Sequence, residues 1–226
     1  MFTSLLASDL GERLAEALSP EKVSWFGTDI LVNPSYYTGF AVMVLLVLLA
    51  VILRLTVVRK MKRVPGKVQT ILETFVGGFA NMADGTPSFV GAYIFIAAIY
   101  IGLGTLVELL GFRPIMADLN ATLAMGVSTF GLIFFYGFRV HGLRRFKHFL
   151  NPINIVTDLA VPVSMSFRLF GSITSGMLIM ELIYGMLFTS FVVPAIVSVL
   201  TTLFHALIQA YIFAQLTILF VQEATE

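Results

Sequence analysis

The sequence predicts an all-α integral membrane protein with about five membrane helices plus amphipathic helices. Of the 226 residues, 58% are hydrophobic and 12% are charged, whereas about a quarter of the residues of a soluble domain are charged. Five apolar stretches are each long enough to cross a hydrocarbon core of about 30 Å as a helix, and none shows the alternating pattern of a β-strand. We therefore expect residues 1–226 to form a single membrane domain.

The composition excludes several classes of function. Without cysteine, the chain has no disulfide, thiolate metal site or cysteine nucleophile. A formal net charge of +1 argues against nucleic acid as a partner. No Gly-Lys-Ser/Thr phosphate-binding motif is present, so direct nucleotide binding is not expected. The first apolar run breaks at Asp9, unlike that of a typical signal peptide. We expect no metal and no cofactor.

The first half of the chain predicts an N-terminal arm, three membrane helices and one amphipathic helix. Residues 1–34 form the arm, in which leucines at roughly helical spacing predict a short surface helix; they are Leu6, Leu10, Leu14 and Leu18. Asn33-Pro34 predicts a turn. The uncharged stretches predicted to span the membrane are Ser35–Leu53, Ser88–Val107 and Leu119–Phe138. One helix face of Val68–Asp84 is apolar, which predicts an interfacial or buried amphipathic helix.

Two basic clusters set the predicted orientation. They follow the first and third spans and contain Arg54, Arg59, Lys60, Lys62, Arg63 and Lys67, then Arg139, Arg144, Arg145 and Lys147. Such clusters mark cytoplasmic loops, so we expect the N-terminus outside and the C-terminus in the cytoplasm. Glu108 and Asp118 then belong to an outer loop, where they are candidate supporting polar residues.

Arg168 is the only Lys or Arg between Phe149 and Val221. It lies in the first of the last two helical segments, Asn151–Tyr184 and Phe191–Gln222, which are long enough to tilt or bend. An arginine at membrane depth costs between ~3 and over ~10 kcal/mol, and snorkelling relieves this cost only near a helix end. Because its charge is permanent, we expect Arg168 to hold a carboxylate or to block a cation path.

Other polar residues of this hairpin are candidates for ion translocation. Asp158 lies ten residues before Arg168 and Glu181 thirteen after it. Neither shares its helix face, which indicates two polar routes, one from each membrane surface; the alternative for each is a structural cap or hydrogen-bond partner. Ser164, Ser172 and Ser175 share the arginine's stripe and either carry water or allow close packing.

On the last helix, His205 and Gln209 share a face because they are four residues apart. A histidine on an apolar helix is either a hydrogen-bonded core residue or, here, part of a proton relay with Glu181. Since the final helix runs from outside to inside, we expect Gln209 near the height of Arg168 and His205 about 6 Å further outward.

Three segments in order resemble subunit a of the rotary (F-type) ATP synthases. They are ADLNATLA at 117–124, PINIVTDLAVPVSMSFRLFGS at 152–172 and IQAYIFAQLTILF at 208–220. The resemblance implies a stator subunit in the bacterial plasma membrane, non-catalytic on its own, whose last two helices form a long tilted hairpin against a c-ring. It also implies peripheral-stalk subunit b as a partner, and two offset half-channels for H+ or Na+ separated by Arg168. Gln209 resembles the family's glutamine that faces the arginine.

Two positions depart from the family pattern. Ser172 replaces the usual asparagine, and Met177 replaces the usual acid or histidine. Glu181, one turn beyond Met177, is a candidate substitute with His205 as its counterpart. A stand-alone channel or secondary transporter using Arg168 as a carboxylate site is the rival interpretation, although the chain lacks the internal repeat common in transporters. A third class, a purely structural membrane anchor, does not explain the arginine.

Overall fold

The computed structural model describes residues 23–24, 31–61, 66–142, 152–186 and 192–225. Its helices are α1 (Ser35–Thr56), α2 (Lys67–Met82), α3 (Ser88–Leu106), α4 (Leu119–His141), α5 (Pro152–Met186) and α6 (Val192–Thr225). Short 3-10 turns lie at Val58–Lys60, Val107–Leu110 and Ile115–Ala117. Within the described residues, five helices are long and apolar enough to cross a membrane. The prediction of an all-α, multi-pass membrane protein is confirmed.

A two-stranded antiparallel sheet precedes the first membrane helix. Strands β1 (Val23–Ser24) and β2 (Leu31–Val32) pair with Val23 opposite Val32. The sequence did not predict this pair, because two-residue strands are too short to show an alternating pattern. The surface helix predicted around Leu6–Leu18 lies outside the described residues. The predicted turn at Asn33-Pro34 caps α1, since the Asn33 carboxamide oxygen accepts from the Ser35 backbone N–H at 3.2 Å.

Four membrane helices pack together. Both α3 and α4 pack against α6, α4 also packs against α5, and α5 packs along α6. Two clusters of buried side chains lie between these helices. They contain Val90, Ile94, Ile133, Ala214, Ile218 and Val221, and then Ala97, Ile101, Met165, Leu169, Ile173 and Phe213. Helices α5 and α6 each bury one face in the second cluster, which leaves their opposite faces exposed.

The first two helices touch this bundle over small areas. Of α1, only Ser35, Gly39 and Val42 are buried, and its remaining apolar surface suits lipid. On α2, Phe75 and Phe79 pack edge-on against Phe95 of α3, with ring centroids 5.8 and 5.5 Å apart. Its apolar face is otherwise exposed; Ile71, for example, is 70% exposed. An exposed apolar face suits a helix at the membrane interface rather than a buried one.

Gly126 allows α4 and α5 to pack in close contact. A Cβ atom at this position would lie 2.6 Å from the backbone carbonyl oxygen of Pro162 and would also overlap the hydroxyl of Ser166. That hydroxyl donates to the same Pro162 carbonyl at 2.6 Å. Small residues commonly permit such close contacts between membrane helices.

We predict that Gly126→Ala lowers stability by about 1–3 kcal/mol, because backbone must move to admit the methyl group. Thermal unfolding of the purified chain in detergent measures the effect. Gly131→Ala on the same helix is the control, since a Cβ there meets nothing within 4 Å. Equal melting temperatures for the two variants would contradict the close-packing argument.

Candidate functional site

Arg168 lies on the outer face of α5, turned away from α3 and α4. The opposite face of the same turns is fully packed, with Leu169 at 0% and Ile173 at 2% exposure. Ser164 and Ser175 are exposed beside the arginine, and Ser172 is half-buried. The predicted stripe of serines and arginine is therefore a continuous polar strip on an otherwise apolar outer surface.

A contact between α5 and α6 fixes the relative levels of the two helices. The His205 ring packs on Gly176, so that a Cβ at Gly176 would be 3.5 Å from His205 Cε1. The helices are antiparallel, so residues at equal separations from this contact share a level. Arg168 lies eight residues before Gly176 and Phe213 eight after His205, which makes Phe213 the neighbour of Arg168 in height.

Gln209 lies within about one helical turn of the level of Arg168. By the same register it is level with Ser172, about 6 Å from Arg168 along the helix axes. It is only 4% exposed, so it faces the packed interior rather than lipid. A lipid-facing Gln209 would have excluded a role beside the arginine, and this position is not observed. The pairing of Gln209 with Arg168 stays a prediction.

His205 has a described acidic neighbour that differs from the predicted one. Its Nδ1 atom lies 2.8 Å from the Thr201 carbonyl oxygen, the bond expected of a core histidine. The carboxylate of Glu108, in the turn after α3, interacts electrostatically with His205 and accepts a hydrogen bond from Thr202. Glu108, Thr202 and His205 thus form one polar cluster that joins α3 to α6.

The sequence analysis missed part of this cluster. It placed Glu108 among the supporting residues and did not consider Thr202. The available signals were an acid directly after an apolar span and a hydroxyl one turn before a histidine. The predicted partner Glu181 lies in α5, as does Asp158, but the side chains of both lie outside the described part of the structure.

Asp118 has a structural position. It is 7% exposed, and its carboxylate accepts from the Asn120 backbone N–H at 2.8 Å, which caps the first turn of α4. Burial lowers the pKa of the nearby Arg113 guanidinium, and the negative charge of Asp118 partly offsets this effect. The pair lies in the connection between α3 and α4.

A second polar pair is exposed on the outer face of α6. The Gln215 amide nitrogen donates to the Tyr211 hydroxyl at 3.3 Å, and the Tyr211 side chain is 56% exposed. By the register above, these two residues lie on either side of the level of Arg168. Sequence reasoning did not single them out, although Gln215 is a second amide in the segment that begins at Gln209. Among the described residues, no group of three or more His, Asp or Glu side chains could hold a metal ion.

Comparison with known proteins agrees with this arrangement. The sequence model of a family described as ATP synthase A chain matches residues 39–222. ATP synthase subunit a 3 of Pelobacter propionicus is 31% identical over 197 residues, which cover 80% of this chain and 85% of the relative. ATP synthase subunit a of Geotalea daltonii is 29% identical over 226 residues, covering 92% and 93%. The match spans the bundle, the arginine stripe and the Glu108 cluster, and the chain therefore belongs to the F-type ATP synthase subunit a family.

Proposed function

We propose that this chain is the stator that passes H+ or Na+ between the membrane surfaces and a c-ring, through two offset half-channels separated by Arg168. The observation that carries the proposal is the outward exposure of Arg168 on the polar strip of α5. Within the described residues this is the sole cation of the long hairpin formed by α5 and α6.

The physical reason lies in the cost of an exposed cation at membrane depth. Lipid tails cannot solvate a guanidinium group, and an arginine cannot lose its charge at any workable pH. An anion supplied by another protein relieves this cost through charge-assisted, bidentate hydrogen bonds. A carboxylate on the helices of a c-ring facing this strip is the partner that fits both the chemistry and the family.

The outer half-channel reaches the hairpin through Glu108, Thr202 and His205. A carboxylate and an imidazole can each accept and then donate a proton, which is what a proton relay requires. Along α6, His205 is eight residues outward of the level of Arg168, about 12 Å. Glu181 extends this route in our proposal, because Met177 stands where the family usually has an acid or a histidine.

The inner half-channel leads from the arginine towards Asp158, ten residues along α5 on the cytoplasmic side. A c-ring carboxylate loaded from the outer route is neutral and so can turn into lipid. After nearly a full rotation it meets the inner route and releases its ion. The fixed charge of Arg168 then holds the empty carboxylate and repels any cation that would cross directly.

The orientation and assembly follow from the same proposal. The basic residues after α1 and α4 face the cytoplasm, the N-terminus lies outside and the C-terminus lies inside. The bundle works against the c-ring and is held by the peripheral-stalk subunit b. In this proposal, the ion-binding site of the ring determines which ion is carried.

We predict that Arg168→Ala abolishes both ATP-driven pumping and ion-driven ATP synthesis while the complex still assembles. Arg168→Lys should fail nearly as completely, because lysine lacks the planar fork and loses its proton when desolvated. Both activities are measured with the purified complex in sealed vesicles. Arg139→Ala, at the exposed end of α4, is the control and should keep normal rates. Coupled synthesis in an assembled Arg168→Ala complex would refute the proposed function.

We predict that Glu108→Gln slows ion flux about a hundredfold, the low end of what a positioned acid or base contributes. His205→Ala should slow it similarly, and the double variant should be no slower than the worse single variant if the two act in one relay. Passive ion flux through the membrane sector reports the effect. Glu73→Gln, an exposed acid that pairs with Gln69 on α2, is the control. Additive losses in the double variant would show that the residues act separately.

A further inference from the structure

The outer face of α6 carries a polar pair that the half-channels do not use. Tyr211 is 56% exposed, Gln215 is exposed, and the apolar side chains around them suit lipid; Ile208 and Leu219, for example, are 51% and 55% exposed. An amide and a phenol facing hydrocarbon are costly unless they have hydrogen-bond partners. Lipid alone at this surface would leave part of the hydrogen-bonding capacity of Tyr211 and Gln215 unsatisfied.

The pair and Arg168 lie on the same surface of the molecule. The antiparallel helices α5 and α6 touch where His205 packs on Gly176, and on one side of this contact both bury side chains in the cluster that contains Leu169 and Phe213. The exposed residues on the other side of the contact therefore look out from the same surface. Arg168 shares its level with Phe213, which puts Tyr211 two residues outward and Gln215 two residues inward. These offsets are about 3 Å each, and packed helices lie about 8–10 Å apart. A group in the groove between the helices is within reach of all three side chains.

The direction of the hydrogen bond leaves one proton uncommitted. The Gln215 amide donates to the Tyr211 oxygen at 3.3 Å, so the tyrosine acts as acceptor towards α6 and its own O–H points to another partner. A carboxylate offers about four acceptor positions, of which a bidentate arginine takes two. The Tyr211 hydroxyl can therefore donate its proton to one of the two acceptor positions that the arginine leaves on the carboxylate.

We propose that Tyr211 is a second donor to the carboxylate that Arg168 binds, and that Gln215 is a positioning residue that holds the tyrosine hydroxyl towards it. This inference rests on the proposed function, because the carboxylate belongs to a partner helix. Tyr211 stabilises the ionised form, which is the form that exists between release of one ion and capture of the next. Removing it leaves Arg168 as the donor from this surface.

The effect on the carboxylate has a definite sign. A hydrogen bond to the charged form lowers a carboxyl pKa, so its loss raises that pKa. Among the described residues, the other charged or titratable groups on these two helices near this level are Arg168 on α5, His205 further outward and Glu223 further inward on α6. They are unchanged in a Tyr211→Phe variant. The inner pH that gives half-maximal ATP synthesis should therefore move upward.

The test uses the whole ATP synthase in sealed vesicles, with Tyr211→Phe, Gln215→Leu and the double variant. We expect each single variant to slow ion-driven synthesis up to about tenfold, the scale of one hydrogen bond to a charged group, and to shift the pH profile upward. The double variant should match Tyr211→Phe, because Gln215 acts through the tyrosine. Tyr36→Phe, at an exposed position on α1, and Gln69→Leu, at a half-buried position on α2, should leave rate and profile unchanged.

A Tyr211→Phe complex with an unaltered rate and pH profile would overturn the inference. A slower Gln215→Leu complex with an unshifted profile, or additive losses in the double variant, would likewise contradict it, because a packing defect acts in that way. Arg168→Ala in the same vesicles separates the two proposals. If Arg168→Ala is inactive while Tyr211→Phe is normal, this inference fails alone; if Arg168→Ala is active, the proposed function fails.

Discussion

The structure depends on one constraint, which is that the charge of Arg168 cannot be removed and lipid cannot solvate it. A buried arginine is normally matched within its own chain, but here the polar strip of α5 faces outward. In the proposed function, an anionic partner at that surface balances this charge. The remaining features of the bundle are best understood as a rigid support that presents this charge at one depth.

The support comes from the helices packed behind the hairpin. Helix α4 packs against both α5 and α6, and Gly126 brings α4 into direct backbone contact with the Pro162–Ser166 turn. Pro162 and Ser166 lie six and two residues before Arg168, so packing of α4 helps to set the position of the arginine. Thr202 and Glu108 also tie α6 to the end of α3. The polar cluster therefore contributes to packing.

The sequence predicted the parts that depend on periodicity and composition. Helix bounds agree within a few residues, and Arg168 could be identified because a cation in an apolar hairpin has few structural explanations. The register between α5 and α6 could not be predicted, since it depends on the contact between Gly176 and His205. The Glu108 cluster was not predicted for a similar reason, because Glu108 is 94 positions from Thr202 and 97 from His205 in the chain. The Tyr211–Gln215 pair follows helical spacing, but only burial shows that it faces outward.

Cross-linking tests the central claim, that the Arg168 strip is the surface that meets the c-ring. The chain contains no cysteine, so single cysteines can be placed without background. Ser164→Cys or Ser175→Cys, on the strip, is combined with a cysteine on the carboxylate-bearing helix of the ring subunit. Leu48→Cys, 55% exposed on α1, is the control. We predict rapid disulfide formation from the strip and none from α1. An assembled complex in which the strip cysteines do not react, or react no faster than Leu48→Cys, would contradict the account.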